Sequence, residues 1–490
     1  MFSKLMNFHK GKKSVTVDQS VGQGVEKSHP DGLPIDVPSV VKSDSHPSSE
    51  LASKLVDTHK NSVNAIVTSV LEIDTHGNPT SGQELRQRIL GRKPVLDRYQ
   101  RVIGYELVLR NKDANQASRP NDALSRMYDE MLVRGLITME LGRSMGEKLV
   151  FASLSSACVP GSLLESLPNK GVVLALKVVP ENAEEQLVCM KALITAGYQI
   201  ALDDFVYSAV FAPFYRLAKY VRIDVSGMDA ITLREQMKSL REKVSPLLVA
   251  KNVETDDVFD ACRSLSFDFF QGYYFTRLQP HKPPRLDNDR LRVIELLNMV
   301  TNYAEIHEME KVFKLDVSLS YKLLRYINSP GCGMVQKVSS IAHALAVLGH
   351  DQLYRWLTLL LFTSGRADAR SHPLLKNAMV RARLIESLGK IKLAPSEVEG
   401  LFIVGIFSML DALLNVPMAQ AVSHLNLPEK VVDALVKRKG AYAPFLELAS
   451  ACEEGNDQLI EHYAAVCQFD AETVNQAHVQ AIIWAEELDK

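Results

Sequence analysis

Several function classes are excluded by what this chain lacks. Its six cysteines, Cys158, Cys189, Cys262, Cys332, Cys452 and Cys467, are scattered, with no CxxC pair. Reduced thiols of a cytoplasmic protein are expected, not a disulfide frame or a zinc ribbon. No stretch approaches the roughly eighteen uninterrupted apolar residues of a membrane span, so no transmembrane segment is predicted. Neither charge sign dominates: 56 Lys and Arg stand against 58 Asp and Glu, which argues against nucleic-acid binding by bulk electrostatics. No histidine lies between His76 and His281, so that segment cannot run Ser-His or Cys-His nucleophilic chemistry.

What is present points to more than one domain, because 490 residues exceed one ordinary core. The opening MFSKLMNFHKGKK has lysines and a few hydrophobes but no long apolar run or small-residue cleavage site. It reads as a disordered basic tail, the alternative being a segment that skims an anionic membrane. Residues 1–80 are rich in Ser, Lys, Asp, Gly, His and Pro and bury too little apolar surface to offset their ordering entropy; a disordered tail is expected, with loose helical spacing over Leu51–Ile73.

Regular patterning starts near Ile89. Lys93–Asp97 and Val102–Leu109 read as strands around the turn Arg98–Arg101. Next come helix Ala123–Gly142, strands Lys148–Leu154 and Val172–Val178, and helix Ala183–Ala196. The most informative stretch follows: the apolar run Ile200–Leu202 drops into Asp203 and Asp204, and the run Tyr220–Ile223 ends in Asp224. Helix Leu233–Lys243, strand Leu247–Ala250 with Lys251 at its end, helix Val258–Ser264 and strand Phe267–Phe270 complete the alternation. Strands alternating with helices predict an α/β barrel, in which acids at carboxyl ends of strands converge on one mouth. The competing reading makes such acids helix caps or turn formers. The proline-rich Leu278–Arg285 marks a domain boundary. Beyond it only helical periodicity is evident, over Leu291–Tyr303, Ser318–Ile327, Ser340–Leu348, Gln352–Phe362, Leu374–Leu388, Ser396–Leu414, Met418–Leu425 and Ala471–Leu488. Trp356 reads as core, Tyr273 to Phe275 as barrel packing, and Lys437 to Lys439 as helix C-terminal charge.

Several motifs in order carry a family resemblance: Glu106-Leu-Val-Leu-Arg110, Asp203-Asp-Phe205, Arg222-Ile-Asp224, Ala250-Lys-Asn-Val-Glu254 and Gln271-Gly-Tyr-Tyr-Phe275, then Gly405-Ile-Phe-Ser-Met-Leu-Asp411. Through them the chain resembles the EAL–HDOD two-domain bacterial signalling proteins. The resemblance implies an EAL-like, TIM-type barrel over 86–280, an all-α HDOD domain over 287–490, and residues 1–80 as tail. Active EAL barrels hold two divalent metals, Mg or Mn, and activate a water against cyclic di-GMP. Hard cations of this kind need nearly complete oxygen coordination.

Carried over position by position, the resemblance retains Glu106, Asp203, Asp204, Asp224, Glu254 and Gln271, and gives Arg110 a substrate phosphate. It also exposes departures. An asparagine ligand falls on Ser153, a glutamate on Ala175, another glutamate on Lys251, the water-activating lysine on Arg222, and a glycine on Val206. A barrel so altered is expected to hold no metal and no cofactor; if it held one, the ligands would be Glu106, Asp203 and Asp204. Lys251, with Lys177 as a second candidate, is expected to take the metal's electrostatic place, the competing reading being that Lys251 points to solvent. In the helical half the His-Asp pair of HD enzymes falls on Ser408-Met409, inside an apolar helix. His307, His343, His350, His372, His424 and His462 show no ligand spacing.

The favoured function is a catalytically degenerate cyclic di-GMP-pathway protein acting on other signalling proteins through residues 287–490. The resemblance implies pathways such as motility, surface attachment or biofilm control. The alternatives are a weakly active cyclic di-GMP phosphodiesterase and a receptor that binds the nucleotide through Arg110 without hydrolysing it. Partner identity and oligomeric state are left open by the sequence.

Overall fold

The apolar runs close into a barrel of eight strands in sequence order. The computed structural model describes residues 91–487, apart from short stretches of which 109–128, 138–144, 155–165, 205–208 and 242–245 are the longest. The predicted tail 1–80, Arg110 and Val206 therefore lie outside the described residues. The strands are β1 Gly91–Asp97, β2 Val102–Val108, β3 Leu149–Leu154, β4 Val172–Lys177, β5 Gln199–Asp203, β6 Tyr220–Asp224, β7 Leu247–Lys251 and β8 Phe269–Gln271. Helices α1 Ala183–Thr195, α2 Ala212–Leu217, α3 Ala230–Arg241 and α4 Asp256–Ser264 connect them on the outside.

One strand runs against the rest. β1, joined to β2 by the expected turn Arg98–Arg101, is antiparallel to both β2 and β8, whereas the other pairs are parallel. The cause is local. Asp97 Oδ1 accepts from the backbone N–H groups of Tyr99 and Arg101, both at 2.9 Å, closing a turn far too short for a parallel crossover. No helix follows β1, so that flank of the barrel lacks a cover of its own.

Side chains alternate in and out along the strands. Val95, Phe151, Val173, Ala175, Ala201, Tyr220 and Val249 form a separate apolar cluster, the plug that fills the barrel. Polar residues of the same inward parity sit above it, at the carboxyl ends of the parallel strands.

The second half contains no strand among its described residues. Its helices are α5 Asn288–Thr301, α6 Ile306–Lys314, α7 Val317–Ile327, α8 Ile341–Thr363, α9 Ser371–Lys392, α10 Pro395–Phe407, α11 Leu410–Leu414, α12 Met418–Ser423, α13 Glu429–Val432, α14 Ala443–Glu454, α15 Asp457–Val466 and α16 Ala471–Glu487. Side-chain caps start several of them: Asp287 for α5, Asp316 for α7 and Ser340 for α8. The two periodic stretches expected over 340–362 are consecutive within α8, kinked where Gly349 takes φ 67°, a conformation open to glycine. The expected helix 396–414 instead breaks between α10 and α11, leaving Ser408 and Met409 in the break. Trp356 is core, stacked on Tyr326 and Phe313. No helix among the described residues is long and apolar enough to cross a membrane.

The uncovered flank of the barrel is closed by the helical half. Arg92, on the outer face of β1, donates to Asn377 Oδ1 of α9 at 2.6 Å. Asn377 Nδ2 in turn donates to Glu453 of α14, which also pairs with Arg381 at 2.7 Å. Tyr105 of β2 donates to Glu486 of α16 at 2.6 Å, and Lys376 pairs with the same carboxylate at 3.3 Å. Even the proline-rich link is fastened, since Asn415 accepts from Gln279 N and donates to Lys282 O.

Tyr273 packs against the core as expected and also reaches across the boundary. Its hydroxyl shares its one proton between Arg92 O, at 2.8 Å, and Glu453 O. The Tyr273→Phe variant leaves these buried carbonyls without that donor and is expected to cost about 1–2 kcal/mol, read in urea unfolding.

Candidate functional site at the barrel mouth

The inward alternation brings seven of the predicted positions together. Glu106 comes from β2, Ser153 from β3, Ala175 from β4, Asp203 from β5, Arg222 from β6, Lys251 from β7 and Gln271 from β8. Asp204 follows β5 with φ 46°, which turns its carboxylate back over the opening.

Arg222 is the hub. Its side chain is 1% exposed, seated over the Phe151 ring at 5.9 Å. One end of the guanidinium donates to Ser153 Oγ at 2.8 Å and to Asp203 Oδ2 at 3.3 Å. The other donates to Glu106 Oε1 and, at 3.2 Å, to Gln271 Oε1. Glu106 is satisfied on both oxygens, because Ser153 Oγ donates to Oε1 at 2.5 Å and Gln271 Nε2 to Oε2 at 2.7 Å.

Lys251 caps the cluster. Its ammonium donates to Asp203 Oδ1 at 2.7 Å and to Asp204 Oδ1 at 2.6 Å, with Lys177 at 3.5 Å from Asp204 Oδ2. The side chain is 12% exposed, so it does not point to solvent. Ala175 is fully buried and contributes no polar atom.

The electrostatics follow from that packing. Burial alone would push the Glu106 carboxyl upward, but the Arg222 guanidinium, the Lys251 ammonium and the Ser153 hydroxyl together bring it down to about 2. Burial is likewise the largest single influence on Lys251 and disfavours its charge, but Asp203, Glu106 and Asp204 together outweigh burial and the nearby Arg222, holding the ammonium above its ordinary range. Asp204 is lowered against its own burial, chiefly by Lys251.

Two predicted acids stand apart. Asp224 Oδ1 accepts from Ser226 N at 2.9 Å and from its hydroxyl at 2.6 Å, while Oδ2 accepts from Asn252 at 2.9 Å. Glu254 pairs with Arg277 at 2.5 Å near the surface. The competing reading of a turn-forming acid therefore holds for Asp224. Gln271 precedes Gly272, where φ is 155° and a Cβ would fall 1.9 Å from Val253 O; glycine lets the ends of β7 and β8 meet.

The helical half has a counterpart. Ser408, at the position of the missing His-Asp pair, accepts from Arg381 at 3.1 Å, and Arg381 also binds Glu453. Among the described residues no group of three or more His, Cys, Asp or Glu side chains is arranged to hold a metal ion.

The family model of the HDOD domain matches residues 284–422. With the closed barrel before it and the Glu106, Asp203-Asp204 and Gln271 motifs at the strand ends, the chain has the EAL–HDOD architecture. It is similar to cyclic di-GMP phosphodiesterase CdgJ of Vibrio cholerae, 27% identical over 403 residues, covering 82% of this chain and 93% of the relative. It is also similar to protein YuxH of Bacillus subtilis, 26% identical over 408 residues, covering 81% of this chain and 98% of that one. Among solved structures, an EAL domain protein of Listeria monocytogenes is 19% identical, covering 40% of this chain and 89% of that one, with a TM-score of 0.33.

Proposed function

We propose that this chain is a cytoplasmic signalling protein of the cyclic di-GMP pathway, that its barrel has lost hydrolysis, and that residues 287–490 act on other signalling proteins. The family's metal pair is the natural test of the first claim. The donor set here does not fit it: both oxygens of Glu106 and both of Asp203 already accept from Arg222, Lys251, Ser153 or Gln271. A divalent ion would have to displace two cations and would find no oxygen at Ala175. That double occupancy of the carboxylates by Arg222 and Lys251 is the observation that carries the reading.

The likeness to a relative named as a phosphodiesterase makes the active enzyme the reading to beat. Calorimetric titration of the full chain with cyclic di-GMP, with and without Mn²⁺ or Mg²⁺, separates the cases. The expected outcome is no product and no metal-dependent heat. Product formation returns the chain to the phosphodiesterases, and heat without product makes it a receptor.

A further inference from the structure

The chain leaving β8 meets the mouth at one end and the helical half at the other. Gln271, 2% exposed, donates to Glu106 Oε2 and accepts from Arg222. Directly behind it the backbone has no slack: Val253 N donates to Gln271 O at 2.9 Å, Tyr274 N donates to Val253 O at 3.3 Å, and Gly272 is pressed against that same carbonyl. Tyr274 and Phe275 are fully buried. Tyr274 stacks on Phe259 of α4 at 4.5 Å and meets Phe275 edge-on at 5.8 Å.

The helical half grips the far end. Arg370, immediately before α9 and 2% exposed, donates through Nε to Phe275 O at 3.1 Å. Its Nη2 lies 2.5 Å from Phe275 O, 2.5 Å from Arg277 O and 3.2 Å from Tyr274 O, and it pairs with Asp256 of α4 at 3.6 Å. The planar fork of a guanidinium fixes where those carbonyls sit. The carbonyl of Arg370 itself accepts from Leu374 N at 3.1 Å, so one residue both starts α9 and clamps the barrel segment.

We propose that Gln271–Arg277 couples the barrel mouth to the helical half, with Arg370 as the positioning residue at its far end, so that loss of the Gln271 contacts loosens the start of α9. This rests on the reading that the helical half acts on other proteins, and it gives the mouth control over that half. Close-packed segments transmit a displacement instead of absorbing it, and every residue from Gln271 to Phe275 is held by packing or hydrogen bonds. α9 also carries Lys376, Asn377 and Arg381, so a shift at its start bears on the rest of the boundary. Coupling of this kind is reciprocal: freeing the segment from Arg370 loosens the mouth in turn.

Hydrogen exchange on the full chain reads both ends, with the amides of α7, packed on Trp356 within the helical half, as the reference. Gln271→Met is expected to speed exchange at Leu374–Ala378 by about tenfold, although the side chain it replaces bonds only within the mouth. Arg370→Met is expected to speed exchange at the Val253 amide by about tenfold. Arg370→Lys, which keeps a cation and its donors, holds that change to about threefold or less. Should a methionine variant not fold, Gln271→Asn and Arg370→Lys make the same comparison, each with a change of about twofold to threefold at the far end. A variant that alters exchange only at its own end overturns the proposal, as does equal acceleration in α7, which would mean a general loss of stability. Neither a protein partner nor the nucleotide enters the measurement. If coupling is found while the helical half binds no protein, the partner reading fails and the coupling stands.

Discussion

Replacing Arg222 with methionine is expected to lower the unfolding free energy by about 3–5 kcal/mol, measured as a shift in the urea midpoint at neutral pH. Methionine approximates the buried volume but leaves Glu106, which is 4% exposed, with Lys251 as its remaining cation. The pH dependence gives the test its specificity. In the natural chain Glu106 sits at about 2, below its unfolded value, so its contribution is fully present above the ordinary glutamate range and is lost as pH falls through about 2. In the variant, burial acts with less opposition and lifts the carboxyl, so the penalty exists where Glu106 is forced to ionise. The deficit relative to the natural chain should therefore shrink as pH drops from 7 towards 4. A deficit that stays constant across that range would mean that Arg222 supports the barrel by packing alone.

The second large effect is a gain. The combination Ser153→Asn, Ala175→Glu, Arg222→Lys and Lys251→Glu is expected to raise Mn²⁺ affinity by roughly two orders of magnitude or more, read by calorimetry, with circular dichroism confirming the fold. It restores oxygens where Ser153 and Ala175 supply too few, and it removes both cations from the carboxylates. The same combination lacking Arg222→Lys should gain much less, because the guanidinium would still bridge Glu106 and Asp203. If the natural chain already binds Mn²⁺ as tightly as the fourfold variant, the filled-mouth reading is wrong.

The contrast between those two variants shows how far the sequence could be read. Strand-end acids and the alternation of strand with helix are local signals, and they place Glu106, Asp203 and Asp204 at a common mouth. Lys251 as a cation among them follows from the same logic. Arg222 does not. In the sequence it is a lost lysine, and its central place depends on strand register, which points its side chain into the barrel axis while Asp224, two residues on, is captured by Ser226 and Asn252. Contacts such as Arg92 with Asn377, or Tyr105 with Glu486, join residues hundreds of positions apart and leave no local pattern. Helices α6, α14 and α15 were not anticipated either, although they are continuous runs of nine, twelve and ten residues, and the neighbours their buried faces meet are ones that periodicity cannot name.

A short turn at Arg98–Arg101 has a consequence well away from the mouth. Because it spends no chain on an outer helix, the strands beside it borrow their wall from residues near the far end of the polypeptide. The two halves are thus not beads on a string: a protease nick near residue 280 should leave fragments that still travel together on a sizing column. Any exchange of the helical half for another would need to supply a replacement for Asn377, Glu453 and Glu486, or leave Arg92 and Tyr105 facing water.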